Sequence, residues 1–204
     1  MPIDTLSCVV TPAETEGPYF VDERLNRSDI RTDPSDGSVR PGVPLALAFT
    51  VGRMGTSGCT ALSGAQVDVW HCDALGSYSD VSAENTTGRK YLRGYQLTDA
   101  SGVARFTTVF PGWYRGRAVH IHFKVRTFSG SQKTLEFTSQ IFFDDATIDT
   151  IHQSTPYSSH GTRDTRNAND MVYTSSNNSG AQLIARLARA GGGYTATFGI
   201  GLNI

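Results

Sequence analysis

The residues with the clearest chemical potential lie around a single predicted strand. In Arg117-Ala118-Val119-His120-Ile121-His122-Phe123-Lys124-Val125, side chains two positions apart share a face. His120 and His122 therefore project together, while Val119, Ile121, Phe123 and Val125 make a core stripe on the opposite side. Two neutral imidazoles presented in this way can meet one metal ion. Two tyrosines widen the donor set. Tyr114 ends Phe110-Pro111-Gly112-Trp113-Tyr114, a turn that feeds into the histidine strand, and Tyr78 lies in the glycine-containing loop after Trp70. A phenol stays protonated near pH 7 unless an adjacent trivalent cation stabilises the phenolate. Taken singly, a His-x-His pair is only suggestive, and each tyrosine has an ordinary reading as a core or rim aromatic.

Six blocks in order tie these residues together: Thr15-Glu16-Gly17-Pro18-Tyr19-Phe20, Val67-Asp68-Val69-Trp70-His71, Gly76-Ser77-Tyr78-Ser79, Pro111-Gly112-Trp113-Tyr114, Arg117 to His122, and Thr138-Ser139-Gln140-Ile141-Phe142-Phe143. With these blocks the chain resembles the intradiol ring-cleavage dioxygenases, non-haem ferric enzymes that open catechols between the two hydroxylated carbons. The resemblance implies one Fe(III) per chain held by Tyr78, Tyr114, His120 and His122, with O2 as co-substrate and a cis,cis-muconate-type product that takes up both oxygen atoms. Tyr114 matches the tyrosine that leaves the metal and accepts a proton as the diol arrives. Arg117 and Gln140 match residues that stabilise negative charge on the bound ring. Gly17, Pro18 and Tyr19 match an arm over the pocket mouth, and Asp22, Leu75 and Trp113 are further expected lining residues. His71 and Cys72 are expected to be structural, and His152 and His160 to be polar loop residues.

The chain also departs from the better-known members. Tyr114 and His120 are six positions apart, where catechol and protocatechuate enzymes have a longer loop, and the helical extension through which catechol-specific members dimerise is missing. The compact form resembles a small, often secreted branch, which implies a more open mouth and tolerance of substituted or more hydroxylated rings. A protocatechuate- or hydroxyquinol-selective enzyme is the alternative. Two further readings stand beside it: a non-haem Fe(II) oxygenase with two histidines and a carboxylate such as Asp68 or Asp73, and a β-sandwich binding module without chemistry.

The elements that must position these residues are mostly strands. Val43–Val51, Ala65–Trp70, Gly94–Leu97, Val103–Val109, Val119–Phe128, Leu135–Phe143 and Tyr194–Ile200 are extended or alternating, with turn-rich connections. One helix is expected over Ala181–Ala190, where Leu183, Ile184 and Leu187 share a face, Gly191 can end it, and asparagines before it offer caps. Residues 1–42, rich in Pro, Gly and Asp, read as an irregular arm. The expected architecture is all-β: one β-sandwich domain over residues 1–204, with mixed-topology sheets, long loops and a short C-terminal helix.

The resemblance implies a small aromatic diol as partner, and composition argues against the larger alternatives. A formal charge of -1 gives no support to nucleic-acid binding, and no run of eighteen apolar residues suggests a membrane span. No glycine-rich dinucleotide loop follows a strand, so neither flavin nor nicotinamide is expected. A monomer or small homo-oligomer is expected. The opening MPIDTLSCVV has no signal-peptide pattern, and both export after processing and cytoplasmic residence stay open. Cys8, Cys59 and Cys72 are too few for a disulfide framework, leaving a Cys59–Cys72 bridge or ordinary thiols as the choices.

Overall fold

Alternating apolar side chains give each sheet one face to bury, and two sheets here bury those faces against each other. The computed structural model describes residues 9–56 and 58–204. In the first sheet β1 (Pro44–Gly55) is central. It pairs antiparallel with β2 (Gly58–Ala61) and β5 (Val103–Val109), and parallel with β9 (Gly193–Leu202), whose far edge carries β8 (Arg186–Ala190). The second sheet is antiparallel throughout. It runs from β4 (Arg93–Leu97) through β3 (Gln66–Trp70) and β6 (His120–Ser129) to β7 (Gln132–Phe142). The result is the expected all-β sandwich with mixed strand pairing.

Between the sheets, Leu45, Leu47, Phe49 and Val51 of β1 meet Val67 and Val69 of β3 and Ile121, Phe123 and Val125 of β6. The Phe49 ring lies 5.1 Å from Phe123 across the interface, and 6.4 Å from both Phe106 and Phe198 within its own layer.

Strand β6 is buried on both faces. Its inner stripe belongs to the core, while His120, His122, Lys124 and Arg126 line the outer face and are buried as well. The irregular arm covers them. Within the described part of the arm, residues 9–42 form only isolated bridges, such as Asn26 with Tyr95 and Asp29 with Thr107. Phe20 packs edge-on against Trp70 at 4.8 Å, with the Lys124 ammonium 4.0 Å above its ring. Lys124 ion-pairs with Glu16 and Glu136. Arg126 holds Asp22 at 2.8 and 3.1 Å and Asp68 at 2.9 and 2.6 Å. Buried charges persist only when paired, and the arm supplies much of that pairing.

The helix expected over Ala181–Ala190 does not form. The short helix, α2, spans Ser175–Gln182, with the asparagine pair 177–178 inside it. Ile184 then bridges to Phe142, and Arg186–Ala190 is strand β8. Ala190 pairs with Gly193, so Gly191 and Gly192 form a two-residue hairpin loop instead of a helix terminator. The spacing of Leu183, Ile184 and Leu187 fits a helix locally, but pairing with β9 satisfies the backbone and wins over that weak preference. A second helix, α1 (Asp145–His152), was not anticipated: Asp144 caps it by accepting from Thr147 N at 2.8 Å, and Ile148 and Ile151 are its buried anchors. Cys72 is a free, buried thiol and Cys59 is disulfide-bonded, so the Cys59–Cys72 bridge is excluded. Cys8 lies outside the described residues. No helix of the described residues is long and apolar enough to cross a membrane.

Truncating Phe49 to Ala should lower the unfolding free energy by about 3–5 kcal/mol. The loss would be read as a lower urea midpoint at an unchanged m value.

Candidate metal centre

The two tyrosine loops interlock backbone to backbone. Gly112 donates its N–H to Asp73 O at 3.0 Å, and a Cβ on Gly112 would come within 2.5–2.6 Å of Asp73 and Ala74 backbone atoms. Gly76 sits at φ +83, with Trp113 O only 2.2 Å from where its Cβ would be. Nothing larger than glycine fits at either point. The Tyr78 loop is tied further by Glu84, whose Oε2 accepts from Tyr78 N at 2.6 Å and from Ser77 Oγ at 2.8 Å.

These loops bring Tyr78 and Tyr114 to the outer face of β6, beside His120 and His122. His120 Nδ1 lies 2.6 Å from Ala118 O and donates to it, which leaves the Nε2 lone pair facing the other donors. His120 Nε2 is 3.1 Å from His122 Nε2 and 3.2 Å from Tyr114 Oη. Donor atoms about 3 Å apart are what bonds of about 2.1 Å at right angles around one ion require. The Tyr78 ring centroid is 5.6 Å from that of Tyr114 and 6.3 Å from that of His122. Tyr78 Oη and His122 Nδ1 have no hydrogen-bond partner among the described residues. Tyr78, His120 and His122 are at most 2% exposed, whereas Tyr114 is half-buried and is the donor nearest solvent.

Electrostatics divides the donors by type. Burial, and then Tyr114 beside it, pushes the Tyr78 phenol well up. Burial also raises Tyr114, against the opposing pull of Arg117. Burial and Arg117 lower His120, and burial and His120 lower His122, so both imidazoles are neutral and keep a lone pair. A buried phenol ionises only if a positive charge sits beside it. The four side chains therefore suit a highly charged cation.

Around the donors, Arg117 reaches the site because the Arg115-Gly116 turn precedes the regular strand. Its Nη1 is 3.5 Å from Tyr114 Oη, Nη2 donates to Gln140 Oε1 at 2.6 Å, and Nε donates to Asp170 Oδ2 at 2.8 Å. Gln140 is fully buried opposite His122, and its own amide N–H goes to Thr15 O at 2.8 Å, tying the arm down. Gln140 thus orients Arg117 through Oε1 and spends one of its two amide N–H groups on the arm. Gly17, at φ +68, brings the arm against the His122 ring: its Cβ position is 3.5 Å from His122 Cε1. Beyond Pro18, the Tyr19 ring stacks on Tyr78 at 4.5 Å.

The three other expected lining residues are placed as follows. Asp22 is tied to Arg126, since that buried guanidinium needs its charge. Leu75 stands 45% exposed on its loop. Trp113 turns toward the loop around His160, with Nε1 donating to Gly161 O at 3.2 Å and its ring 4.6 Å from His160.

Several neighbours were missed by sequence reasoning. Trp70 stacks flat on His122, with centroids 4.9 Å apart and planes 8° apart. Its position opposite His122 follows once strand pairing is known. Lys124 and Arg126 continue the His120–His122 alternation and were legible on that ground. Asp170 and Glu84 had no local signal. His71 is structural as expected, with Nδ1 2.8 Å from Cys72 O and Nε2 2.8 Å from Thr108 Oγ1. Asp68 is taken by Arg126, and Asp73 accepts from Leu75 N and Ser77 N. Among the described residues no three His, Cys, Asp or Glu side chains gather as metal ligands. The two-histidine, one-carboxylate reading therefore lacks its carboxylate.

Comparison with known proteins gives the family and the fold. A protein-family model described as Dioxygenase matches residues 15–181. The chain is 28% identical over 150 residues to catechol 1,2-dioxygenase 1 of Acinetobacter lwoffii, covering 62% of this chain but 45% of that protein, so it spans less than half the length of this relative. An intradiol ring-cleavage dioxygenase from Tetranychus urticae superposes with a TM-score of 0.81 at 29% identity, covering 96% of this chain and 95% of the other. The dioxygenase domain of a dioxygenase carbohydrate-binding protein fusion from Streptomyces sp. SirexAA-E superposes with a TM-score of 0.69 at 28% identity, covering 96% and 99%.

A pH dependence follows from His71, whose pKa burial lowers from 6.5 to about 4. The unfolded chain takes up a proton below pH 6.5 while the folded one does not, so stability falls with pH across that window. The share from His71 alone should approach about 3 kcal/mol by pH 4, added to what His120, His122 and His152, lowered in the same direction, contribute. Urea unfolding of the metal-free protein between pH 7 and 4 checks this, and His71→Asn should flatten the slope.

Proposed function

Because the chain belongs to the intradiol ring-cleavage dioxygenase family, we propose that it cleaves catechol and substituted catechols with O2 between the hydroxylated carbons, using a ferric ion held by Tyr78, Tyr114, His120 and His122. The family uses non-haem iron. The observation that carries the assignment is the gathering of two buried phenols and two neutral imidazoles, with His120 Nε2 within 3.2 Å of both Tyr114 Oη and His122 Nε2. A ferric ion held there would supply a Lewis-acid centre and, with phenolate donation from the tyrosines, would make a bound diol ring reactive toward O2.

The protein's own groups supply position and charge. Ala118 O holds the His120 proton on Nδ1, and the Trp70 indole keeps the His122 ring in plane. Tyr114 Oη, the donor nearest solvent, leaves its place as the diol arrives and accepts one of its hydroxyl protons. Arg117 Nη1 is the cation closest to that oxygen and stabilises negative charge on the bound ring. Gly17 and Tyr19 cover the opposite side and limit water there. Catechol and O2 together contain every atom of a muconate product, so no external reductant takes part, and neither flavin nor nicotinamide has a role.

The six-residue spacing from Tyr114 to His120 supports a tolerant pocket over one built for a single acidic catechol. Rates on catechol, protocatechuate, hydroxyquinol and alkyl-substituted catechols discriminate the two, and a strong preference for protocatechuate would overturn the tolerant reading.

Iron-loaded protein should be red-brown, change colour on anaerobic addition of catechol, and release a muconate once oxygen is admitted. A colourless protein with a full complement of iron would remove the two-tyrosine assignment. Arg117→Ala should lower kcat by about 10²–10³-fold, with iron content unchanged.

A further inference from the structure

The segment after α1 contributes no donor to the centre, yet it delivers one fully buried carboxylate to it. Asp170 is 0% exposed. Its Oδ2 accepts from Arg117 Nε at 2.8 Å and from Ala118 N at 2.7 Å. Its Oδ1 accepts from Val172 N at 2.8 Å and Tyr173 N at 2.9 Å. Its own carbonyl accepts from Thr174 N at 3.0 Å and Thr174 Oγ1 at 2.8 Å, so the loop that carries it is itself braced. Burial pushes this carboxyl up, but Arg117 and the backbone N–H donors outweigh it and hold it below the ordinary carboxylate range.

A guanidinium is a rigid fork, so fixing two of its edges fixes where the third points. Asp170 takes Nε and Gln140 takes Nη2, which leaves Nη1 on the Tyr114 side. The same Oδ2 also holds Ala118, whose carbonyl sets the His120 tautomer. We propose that Asp170 is a positioning residue for ring cleavage, holding Arg117 so that Nη1 faces Tyr114 Oη and the bound diol. This rests on the function proposed above. An asparagine at this position would keep one oxygen and replace the other with an N–H donor, so at least one pair of N–H groups would lose its acceptor.

The test is a double-mutant cycle on iron-loaded enzyme. Asp170→Asn should lower kcat at least about tenfold while KM for catechol moves less than about twofold. In an Arg117→Ala background the same change should cost several-fold less than it does alone, leaving only what the Ala118 contact contributes. Anaerobic titration of the visible band with catechol should give an unchanged affinity in Asp170→Asn. Asp170→Glu keeps the charge and serves if the asparagine variant fails to fold; it should recover part of kcat, or, standing alone, lower kcat without changing catechol affinity. Additive losses in the cycle, or a wild-type kcat in the soluble Asp170 variants, would overturn the proposal while leaving the dioxygenase reading intact. A wild-type protein that turns over none of the catechols would overturn both.

Discussion

The structure depends on one electrostatic constraint: strand β6 is buried on both sides although one of its faces carries His120, His122, Lys124 and Arg126. A sandwich normally leaves such a face to water. Here the arm crosses it and brings Glu16 to Lys124 and Asp22 to Arg126, while Glu136 and Asp68 complete the pairing from neighbouring strands. The ion pairs lie further along the same row as the histidines. Pairing the charges therefore lays Gly17 and Tyr19 beside the donors, and removes water from a place where unpaired imidazoles would otherwise be hydrated.

The centre divides its work between rigid and less rigid parts. Three donors are almost wholly buried, and the histidines sit on a strand that is hydrogen-bonded on both edges. Tyr78 is held by the Glu84 carboxylate and by two glycine-mediated backbone contacts between loops. Tyr114 has the 3.2 Å contact to His120 and the long contact to Arg117 at its hydroxyl, and it is the least buried of the four. A donor with weak ties and access to solvent suits a group that must move during turnover. The other three suit groups that stay in place.

Much of this was legible in the sequence. Strand alternation located β3 through β7 and β9 to within a few residues, because half-buried strands leave a period of two that turns cannot imitate. The shared His-x-His face was a local pattern, whereas the two tyrosines gained weight only from the six ordered blocks of the resemblance. The arm's electrostatic role was legible only in part: Lys124 and Arg126 follow the histidine alternation, but Asp22 was assigned to the pocket because its partner lies 104 residues away. Arg186–Ala190 was misread because a glycine run both ends helices and closes hairpins, and only the partner strand decides between them. Asp170 could not have been found, since its significance comes from Arg117 and Ala118, more than fifty residues earlier.

The arm also carries an implication for biosynthesis. Its residues are translated before the sheet they cover: Pro12 accepts from Ser139 and Thr15 from Gln140, across separations of 127 and 125 residues. While the ribosome is still making β3 to β7, the arm has no docking surface, and its charged groups remain hydrated. The long loop that must close makes this a late contact. The two sheets can collapse first around Phe49 and Phe123, leaving a solvent-filled row of histidine, lysine and arginine. The covering of that row is thus left to a segment made earlier than the strands on which it settles.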